Sequence, residues 1–291
     1  MPILRIQRSG RFGNNIYQLY NAILFADQIK AAAIDVSGLS LFNMFRKDFV
    51  SYVCFNGIKL INDSKIKDDI ITAKFFNPHD FAGYEFKPDK TISKLVFQDI
   101  RQAMGISSKI IGKSEDIVCH IRSGDIFLRE RSKYNYTQPP VSFYLKVVED
   151  NLDRHNNVKI VFENKANPCI NGLCQELEKR KIGFICQTGT LTEDILSILE
   201  AKTIVSGKGT FIPMIASISG KTEKLIVFRK DVIFNSNFFD HLNVKVETYI
   251  DKDNNYILDR EWKICRPPTK EALEQLDMII SYPLENIIKY P

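Results

Sequence analysis

The sequence predicts an α/β fold built on parallel β-sheet, and three observations support this class. The chain has 291 residues, which is enough for one large domain or two smaller ones. Near the N-terminus a strand, a glycine-containing loop, a helix and a second strand follow one another, which is the order of an α/β unit. From residue 116 onward, short apolar runs alternate with helical patterns, as is typical of a parallel sheet with helices on both faces.

The N-terminal elements are predicted from the spacing of apolar residues. In order they are a strand at residues 3–7, a helix with apolar positions from residue 16, a strand at residues 32–36 and a helix at residues 93–104. Asn14 or Asn15 is the expected N-cap of the first helix. Residues 40–90 are rich in Phe, Asn, Asp and Lys and indicate no regular element.

The second half of the chain has the clearest alternation. Strands are predicted at residues 117–121, 158–162, 182–186, 203–206 and 225–228, and helices at residues 141–152, 170–177, 191–201 and 210–219. Thr190 and Glu193 have the spacing of a capping box. A strand at residues 244–250 and a helix at residues 270–281 follow. Because parallel strands share one carboxyl edge, the loops after them are the expected binding site.

The composition excludes several classes of protein. The chain is 44% hydrophobic and 26% charged, which is ordinary for a folded protein. Its formal net charge of +5 favours a phosphate-bearing ligand without requiring nucleic acid. No apolar stretch approaches the roughly 20 residues of a membrane helix, and no signal-peptide pattern is visible. The six cysteines form no C-x-x-C pair, so reduced buried thiols, no zinc site and a cytoplasmic location are expected.

The first candidate binding residue is Arg122, which follows a predicted strand within residues 120–125, His-Ile-Arg-Ser-Gly-Asp. A guanidinium at such a position presents a planar fork of donors that matches phosphate oxygens. Gly124 permits a close turn of the backbone, and Asp125 can hold the arginine by a hydrogen bond. The alternative is a surface Arg–Asp pair at a strand end, and the residues alone do not decide between the two.

A second candidate is the turn at residues 206–211, between a predicted strand and a predicted helix. Its small residues expose backbone N–H groups, and the helix dipole favours an anion there. The turn lacks the pattern of a nucleoside-triphosphate loop, because Lys202 replaces a glycine and Gly209 replaces a serine or threonine. This argues against a kinase. An ordinary strand–helix turn is the alternative.

Two weaker groups flank these segments. Glu163 and Asn164 follow a strand that ends at the same predicted edge of the sheet. They either contact the base or ribose of a nucleotide or are simply polar residues that expose the strand end to solvent. Tyr134, Tyr136 and Gln138 precede a double proline and form either an acceptor-facing loop or a turn.

A metal site is not expected. Asp251 and Asp253 have the spacing of a metal-binding D-x-D and partly imitate a calcium loop. However, Tyr256 stands where glycine is required and Trp262 where glutamate is required, so a solvated turn is favoured. The histidines that lie outside the arginine segment, His79, His155 and His241, are scattered along the chain.

The two glycine- and arginine-containing segments resemble one known family. Residues 120–125 match H-x-R-x-x-D, a motif of the superfamily of α1,2-, α1,6- and protein O-fucosyltransferases. Residues 10–14, Gly-Arg-Phe-Gly-Asn, are independently similar to the G-R-x-G-N loop at the start of that family, closest to its protein O-fucosyltransferase form. The two motifs occur in the family's order, and the similarity covers residues 1–30 and 115–220.

The resemblance implies a GT-B-like fold, in which two Rossmann-like domains face each other across a cleft. Residues 1–110 would form the acceptor-side domain and residues 111–245 the donor domain, with residues 246–291 packing back on the N-terminal domain. The implied activity is an inverting, metal-independent glycosyl transfer. Its expected donor is GDP-fucose, a substrate and not a cofactor, and its expected acceptor is a hydroxyl of a glycan or protein.

The resemblance also implies roles for individual residues. Arg122 would bind the β-phosphate, Asn14 would lie near the transferred sugar, and Asp125 would be a candidate base or a structural partner of the arginine. The turn at residues 206–211 resembles the family's later Ser/Thr-Phe motif. The implied donor-binding residues are Gly13, His120, Arg122, Gly124, Glu163, Ser206, Gly209, Thr210 and Phe211.

One departure limits the donor assignment. Many α1,2- and α1,6-enzymes have a second arginine at the position of Ser123 in this chain. A related transferase that uses UDP-xylose or GDP-mannose therefore remains an alternative. A non-catalytic protein that binds a nucleotide sugar or a glycan is another. Nucleic acid and membrane are not expected partners.

Overall fold

The computed structural model describes most of the chain. The described residues are 1–46, 48–65, 69–76, 90–106, 114–132, 136–152, 157–229, 239, 242–257 and 261–291. The chain divides into two compact units. The first consists of Met1–Ile111, Pro213–Gly220 and Asp240–Asn243, and the second consists of Gly112–Ile212, Lys221–Phe239 and Val244–Pro291. The predicted boundary at residues 110 and 111 lies outside the described residues.

The first unit is built on a five-stranded sheet. Its strands are β1 (Ile3–Ile6), β2 (Ala33–Asp35), β3 (Ser51–Val53), β4 (Lys59–Ile61) and β5 (Ile70–Ala73), in the spatial order β3-β4-β2-β1-β5. The pairs are parallel except for β3 with β4. The helices are α1 (Phe12–Ile29), α2 (Leu41–Phe45) and α3 (Lys90–Ala103), and a 3₁₀ turn spans Phe55–Gly57.

The start of α1 differs from the prediction. The N-cap is Arg11, which makes no side-chain capping bond, and neither Asn14 nor Asn15 caps the helix. Gly10 has φ +76, so the chain turns there and enters the helix earlier than the polar residues suggest. Three short strands and α2 also occur within residues 40–90, where no element was predicted. Strands of three or four residues carry too little local pattern, and pairing with distant strands stabilises them.

The second unit is built on a seven-stranded sheet. Its strands are β6 (Ser114–His120), β7 (Val158–Val161), β8 (Phe184–Gln187), β9 (Ala201–Ser206), β10 (Lys224–Phe228), β11 (Lys245–Asp251) and β12 (Ile287–Lys289), in the order β12-β11-β10-β9-β6-β7-β8. All neighbours are parallel except β11 with β12. The α/β class with two Rossmann-like, parallel-rich sheets is therefore confirmed.

Five of the described helices lie wholly within the second unit. They are α4 (Asp125–Leu128), α5 (Val141–Asn151), α6 (Pro168–Lys179), α7 (Leu191–Leu199) and α9 (Lys270–Ser281), and a 3₁₀ turn spans Leu284–Asn286. A further helix, α8 (Phe211–Ser219), has its first two residues in this unit. The predicted capping box of Thr190 and Glu193 is present at α7. Phe143 on α5 lies in the core, with its ring 5.2 Å from that of Phe228.

The C-terminal segment 246–291 belongs to the second unit. Strand β11 pairs in parallel with β10, and β12 returns antiparallel to β11. Helix α9 packs on α5 and α6. The physical reason is that the edge of β10 presents unpaired backbone groups, which β11 satisfies. None of the described helices is long and apolar enough to span a membrane.

The cysteines are only partly as predicted. Cys54, Cys119 and Cys169 are buried, whereas Cys186 is exposed on the edge strand β8. Its Sγ lies 3.5 Å from that of Cys174 on α6. Both are free thiols.

Candidate functional site

Three neighbouring strands of the second sheet end together. His120, at the end of β6, is paired with Ser206 at the end of β9 and with Val161 at the end of β7. The loops that follow these strands therefore leave the sheet at the same edge, as the sequence predicts for parallel strands. The turns at residues 121–125 and 206–211 both belong to this edge.

The backbone around Arg122 is held by two asparagines. Asn167, which is buried, donates from Nδ2 to the carbonyl oxygen of Arg122 at 2.8 Å and from its backbone N to Oγ of Ser123 at 3.0 Å. Its Oδ1 caps α6 by accepting from the backbone N of Cys169 at 2.9 Å. Ser123 in turn donates from Oγ to Oδ1 of Asn164 at 2.9 Å. Each such bond contributes about 0.5–1.5 kcal/mol, so the turn is firmly positioned.

The Arg122 side chain lies in a polar and aromatic environment. Its Nη2 is 3.5 Å from Oδ1 of Asp125, and its Cζ is 5.2 Å from the ring centroid of Tyr136. Nε is buried and has no hydrogen-bond partner among the described residues. Only 21% of the side chain is exposed. A buried N–H donor without a partner is costly, so the site suits an incoming acceptor such as a phosphate oxygen.

The turn at residues 206–211 packs directly on Arg122. The backbone N of Gly207 donates to the carbonyl oxygen of His120 at 3.1 Å. A Cβ built on Gly207 would lie 3.3 Å from the backbone N of Arg122, and one on Gly209 would lie 3.2 Å from its Nη1. Gly209 has φ +124, a backbone conformation that residues with a Cβ atom rarely adopt. The glycines thus bring the start of α8, with its positive dipole, against the guanidinium.

His120 is a neutral, packed member of the site. Its ring lies 5.0 Å from that of Phe211, and Nδ1 is buried without a hydrogen-bond partner in the described parts of the chain. Burial, and secondarily the charge of Arg122, lower the pKa of His120 to about 3. The imidazole is therefore uncharged at neutral pH.

Gly124 and Glu163 approach each other closely. Gly124 has φ +70, and a Cβ at this position would collide with the carboxylate of Glu163. The sequence predicts only that Glu163 follows a strand on the same sheet edge, and the structure places its carboxylate beside Gly124. The backbone N of Gly124 also donates to Oδ1 of Asn164 at 3.3 Å.

The structure thus brings together eight of the predicted donor-binding residues within one unit. These are His120, Arg122, Gly124, Glu163, Ser206, Gly209, Thr210 and Phe211. Gly13 and Asn14 belong to the first turn of α1 in the first unit. The side chain of Asn14 folds over Gly10, where a Cβ would collide with its amide group.

Sequence reasoning missed two residues of the site. Asn167 carries a signal, because Asn-Pro before a helical pattern is typical of an N-cap followed by proline at the first helical position. Arg129 has no motif of its own, and only the fold of α4 brings it back to Asp125. The sequence predicts for Tyr136 either an acceptor-facing loop or a turn. Tyr134 lies outside the described residues.

The carboxylate of Asp251 is hydrogen-bonded within its own turn. The side chain accepts hydrogen bonds from the backbone N–H groups of Asp253, Asn255 and Tyr256. Burial alone would raise the pKa of Asp251, but these bonds, that of Tyr256 first, lower it below its usual value. Within the described ranges, no group of three or more His, Cys, Asp or Glu side chains is arranged to hold a metal ion. His79, His155 and His241 lie outside those ranges.

Comparisons with known proteins give only distant similarity. No protein-family profile and no curated protein matches the sequence. Among solved structures, the chain is similar to E. coli heptosyltransferase WaaC with ADP-2-deoxy-2-fluoro heptose, with TM-score 0.47 and 9% identity over 84% of this chain and 92% of that one. E. coli ADP-heptose LPS heptosyltransferase II gives TM-score 0.42 and 11% identity over 96% and 98%. At TM-scores below 0.5, these similarities indicate nothing about the function of this chain.

Proposed function

We propose that this protein is an inverting glycosyltransferase that takes its sugar from a nucleotide-sugar donor. One observation carries the proposal: the guanidinium of Arg122 lies against the Gly209 backbone at the start of α8. A guanidinium and a helix N-terminus each favour phosphate, and here they converge on one place. The unpartnered Nε of Arg122 supports a ligand with acceptor oxygens.

The chemistry of transfer explains why such a site is useful. An acceptor hydroxyl oxygen forms a bond to C1 of the sugar, while the bond from C1 to the diphosphate oxygen breaks. The electron pair of that bond stays on the diphosphate, and the acceptor proton leaves to a carboxylate or to the departing phosphate. Negative charge therefore grows on the diphosphate. Arg122 and the amides at Gly209 and Thr210 would stabilise that charge in the transition state, without a metal.

The other residues take supporting roles in this proposal. Asp125 pairs with arginine through both carboxylate oxygens, which suits a positioning residue better than a base. His120 is neutral and packs on Phe211, so it shapes the wall of the site without adding charge. Asn14 is proposed to orient the sugar, and this role rests on the resemblance of residues 10–14 to the fucosyltransferase loop.

The proposed donor is GDP-fucose, and the proposed acceptor is a hydroxyl of a glycan or protein. Support comes from the two motifs at residues 10–14 and 120–125. UDP-xylose and GDP-mannose are the alternatives, because the second arginine of many family members is replaced by Ser123. In this chain Ser123 forms hydrogen bonds with Asn164 and Asn167, so it stabilises the backbone conformation of the turn.

Arg122→Ala tests the proposed function. Nucleotide release from GDP-fucose should fall by a factor of about 10²–10³, as for removal of one group that stabilises transition-state charge. The melting temperature should change little. Arg180→Ala is the matched control, because Arg180 is an arginine of the same unit that pairs with Glu149 and Glu176 on the surface. Near-normal turnover by Arg122→Ala would contradict the assignment, and loss of wild-type activity in EDTA would contradict metal independence.

A thermal-shift panel identifies the donor. GDP-, UDP-, dTDP- and ADP-sugars are compared at equal concentration, and the donor that stabilises the wild-type protein most is then tested for turnover. Binding raises the free energy of unfolding by RT ln(1 + [L]/Kd), and the melting temperature rises with it. A donor that binds without any nucleotide release over a range of acceptors would identify a non-catalytic binding protein instead.

A further inference from the structure

Arg129 directs its guanidinium back toward the arginine turn. It follows the one-turn helix α4, and its Nε donates to the backbone carbonyl oxygen of Asp125 at 2.9 Å. Its Nη2 is 3.3 Å from Oδ2 of the same residue, while Nη2 of Arg122 is 3.5 Å from Oδ1. One carboxylate therefore holds two guanidinium groups, one through each oxygen.

Both guanidinium groups also face one aromatic ring. The Cζ atoms of Arg122 and Arg129 lie 5.2 and 5.8 Å from the ring centroid of Tyr136. Only 21% and 22% of the two side chains are exposed. The backbone of Arg129 is anchored as well, because its carbonyl oxygen accepts from the backbone N of Arg266 at 2.7 Å. The two cations are thus held in place before any ligand arrives, which reduces the entropy lost on binding.

Both guanidinium groups contact the carboxylate of Asp125, one through each oxygen. The carboxylate of Glu163 lies next to Gly124 in the same turn. Asp125 is itself 44% exposed, so solvent screens it more than it screens the arginines. Each guanidinium has five N–H donors, and one carboxylate cannot satisfy them all. Two adjacent phosphate groups, with several acceptor oxygens and more than one negative charge, would complement the pair.

We propose that Arg129 is a second phosphate-binding residue, so that Arg122 and Arg129 together hold the two phosphate groups of a nucleoside diphosphate. This inference rests on the proposed function, because it places the same diphosphate in the same site. Asp125 is the positioning residue that keeps the two guanidinium groups together. If Arg129 were purely structural, its interaction with Asp125 would only stabilise helix α4.

The test compares diphosphate binding by single variants. GDP, UDP and ADP are titrated calorimetrically into the wild-type protein, and the diphosphate that binds most tightly is then titrated into Arg129→Ala and Arg129→Gln. Charge-assisted hydrogen bonds are worth about 1.5–3 kcal/mol, so affinity should fall by a factor of about 10 to 100 in both variants. Arg129→Lys should retain part of the affinity. Arg131→Ala, which removes an exposed arginine two residues further on, is the control and should bind like the wild type.

A second readout separates binding from folding. The dependence of diphosphate affinity on salt between about 50 and 300 mM should be weaker in Arg129→Gln than in the wild type, because one of the two guanidinium charges has been removed from the site. A merely structural role would lower the melting temperature and leave the salt dependence unchanged. If Arg129→Ala is poorly folded, Arg129→Gln and Arg129→Lys decide the question.

The outcomes distinguish this inference from the proposed function. Wild-type affinity in Arg129→Gln together with lost binding in Arg122→Ala would overturn the role of Arg129 and leave the transferase proposal intact. Unchanged binding in both variants, or no diphosphate binding by the wild-type protein, would overturn both. Loss of binding in both variants, with Arg131→Ala unaffected, supports both.

Discussion

The guanidinium of Arg122 lies over the ring of Tyr136, with Cζ 5.2 Å from the ring centroid. A cation over an aromatic face is attracted by the ring's quadrupole. This interaction is worth about 0.5–2 kcal/mol, and it is stronger where the cation is more desolvated. Asp125 acts from another direction through its carboxylate, 3.5 Å from Nη2. A ring and a carboxylate thus fix the orientation of the guanidinium that we propose binds the donor.

Replacement of Tyr136 should separate the ring from its hydroxyl group. We expect Tyr136→Phe to bind nucleoside diphosphate like the wild type, because the ring that faces Arg122 is retained. Tyr136→Ala should weaken binding by a factor of about 2 to 30, which corresponds to the loss of the cation–π interaction. Calorimetric titration measures both. Equal losses in the two variants would show that the hydroxyl group, and not the ring, contributes.

Gly209→Ala should damage the site by bringing a methyl group next to Arg122. The added Cβ would lie 3.2 Å from Nη1, and φ +124 is unfavourable for alanine. We expect diphosphate affinity to fall at least tenfold, with a loss of about 1–3 kcal/mol in the free energy of unfolding from backbone strain. Gly183→Ala is the control, because a Cβ there meets only Oδ1 of Asn157 at 3.5 Å. Similar effects of the two substitutions would contradict a special role for Gly209.

Asn167 is expected to link the stability of α6 to the position of Arg122. Asn167→Ser retains an oxygen that can cap the helix and loses the bond to the Arg122 carbonyl, whereas Asn167→Ala loses both. Urea unfolding should show about 0.5–1.5 kcal/mol lost in the serine variant and about 1 kcal/mol more in the alanine variant. Both should bind diphosphate more weakly. Unchanged binding in both variants would mean that the turn keeps its geometry without this bond.

The stability of the protein should depend on pH because His120 is buried in its neutral form. Burial, with the nearby charge of Arg122, lowers its pKa to about 3 in the folded protein, whereas an unfolded histidine titrates near 6.5. Between these values the unfolded chain binds a proton that the folded protein does not, so stability falls as the pH drops below about 6.5, by at most about 1.4 kcal/mol per pH unit. His120→Asn removes this titration.

The measurement is the free energy of unfolding at pH 7.5 and pH 5. The loss on acidification should be smaller in His120→Asn than in the wild type. An equal loss in both proteins would show that His120 is not buried in its neutral form. Diphosphate affinity between pH 7 and 8 should show no step from His120, because its imidazole stays uncharged throughout that range.

Local patterns were sufficient for most of the second unit. Helix α5 and strand β7 begin at the predicted residues, and the capping box at Thr190 is present, because each has an apolar period or a cap in its own sequence. Strands β3, β4 and β5 were missed, because runs this short in a segment rich in polar residues show no clear period. Strand β2 is as short but lies in an apolar run at residues 32–36. The N-cap of α1 was also misassigned, because the positive φ of Gly10 shifts the start of the helix.

The sequence by itself determined the α/β class, the parallel edge at which the candidate site lies, and the arginine and glycine turns that belong to that edge. These follow from periodicity and from residue chemistry, which are local properties of the chain. Only the tertiary structure shows that Asn167 hydrogen-bonds the carbonyl oxygen of Arg122. It also shows that Arg122 and Arg129 both form ion pairs with Asp125. It also decided that strands β11 and β12 complete the second sheet. Such relationships depend on which distant segments pair and pack, and no short window of sequence contains that information.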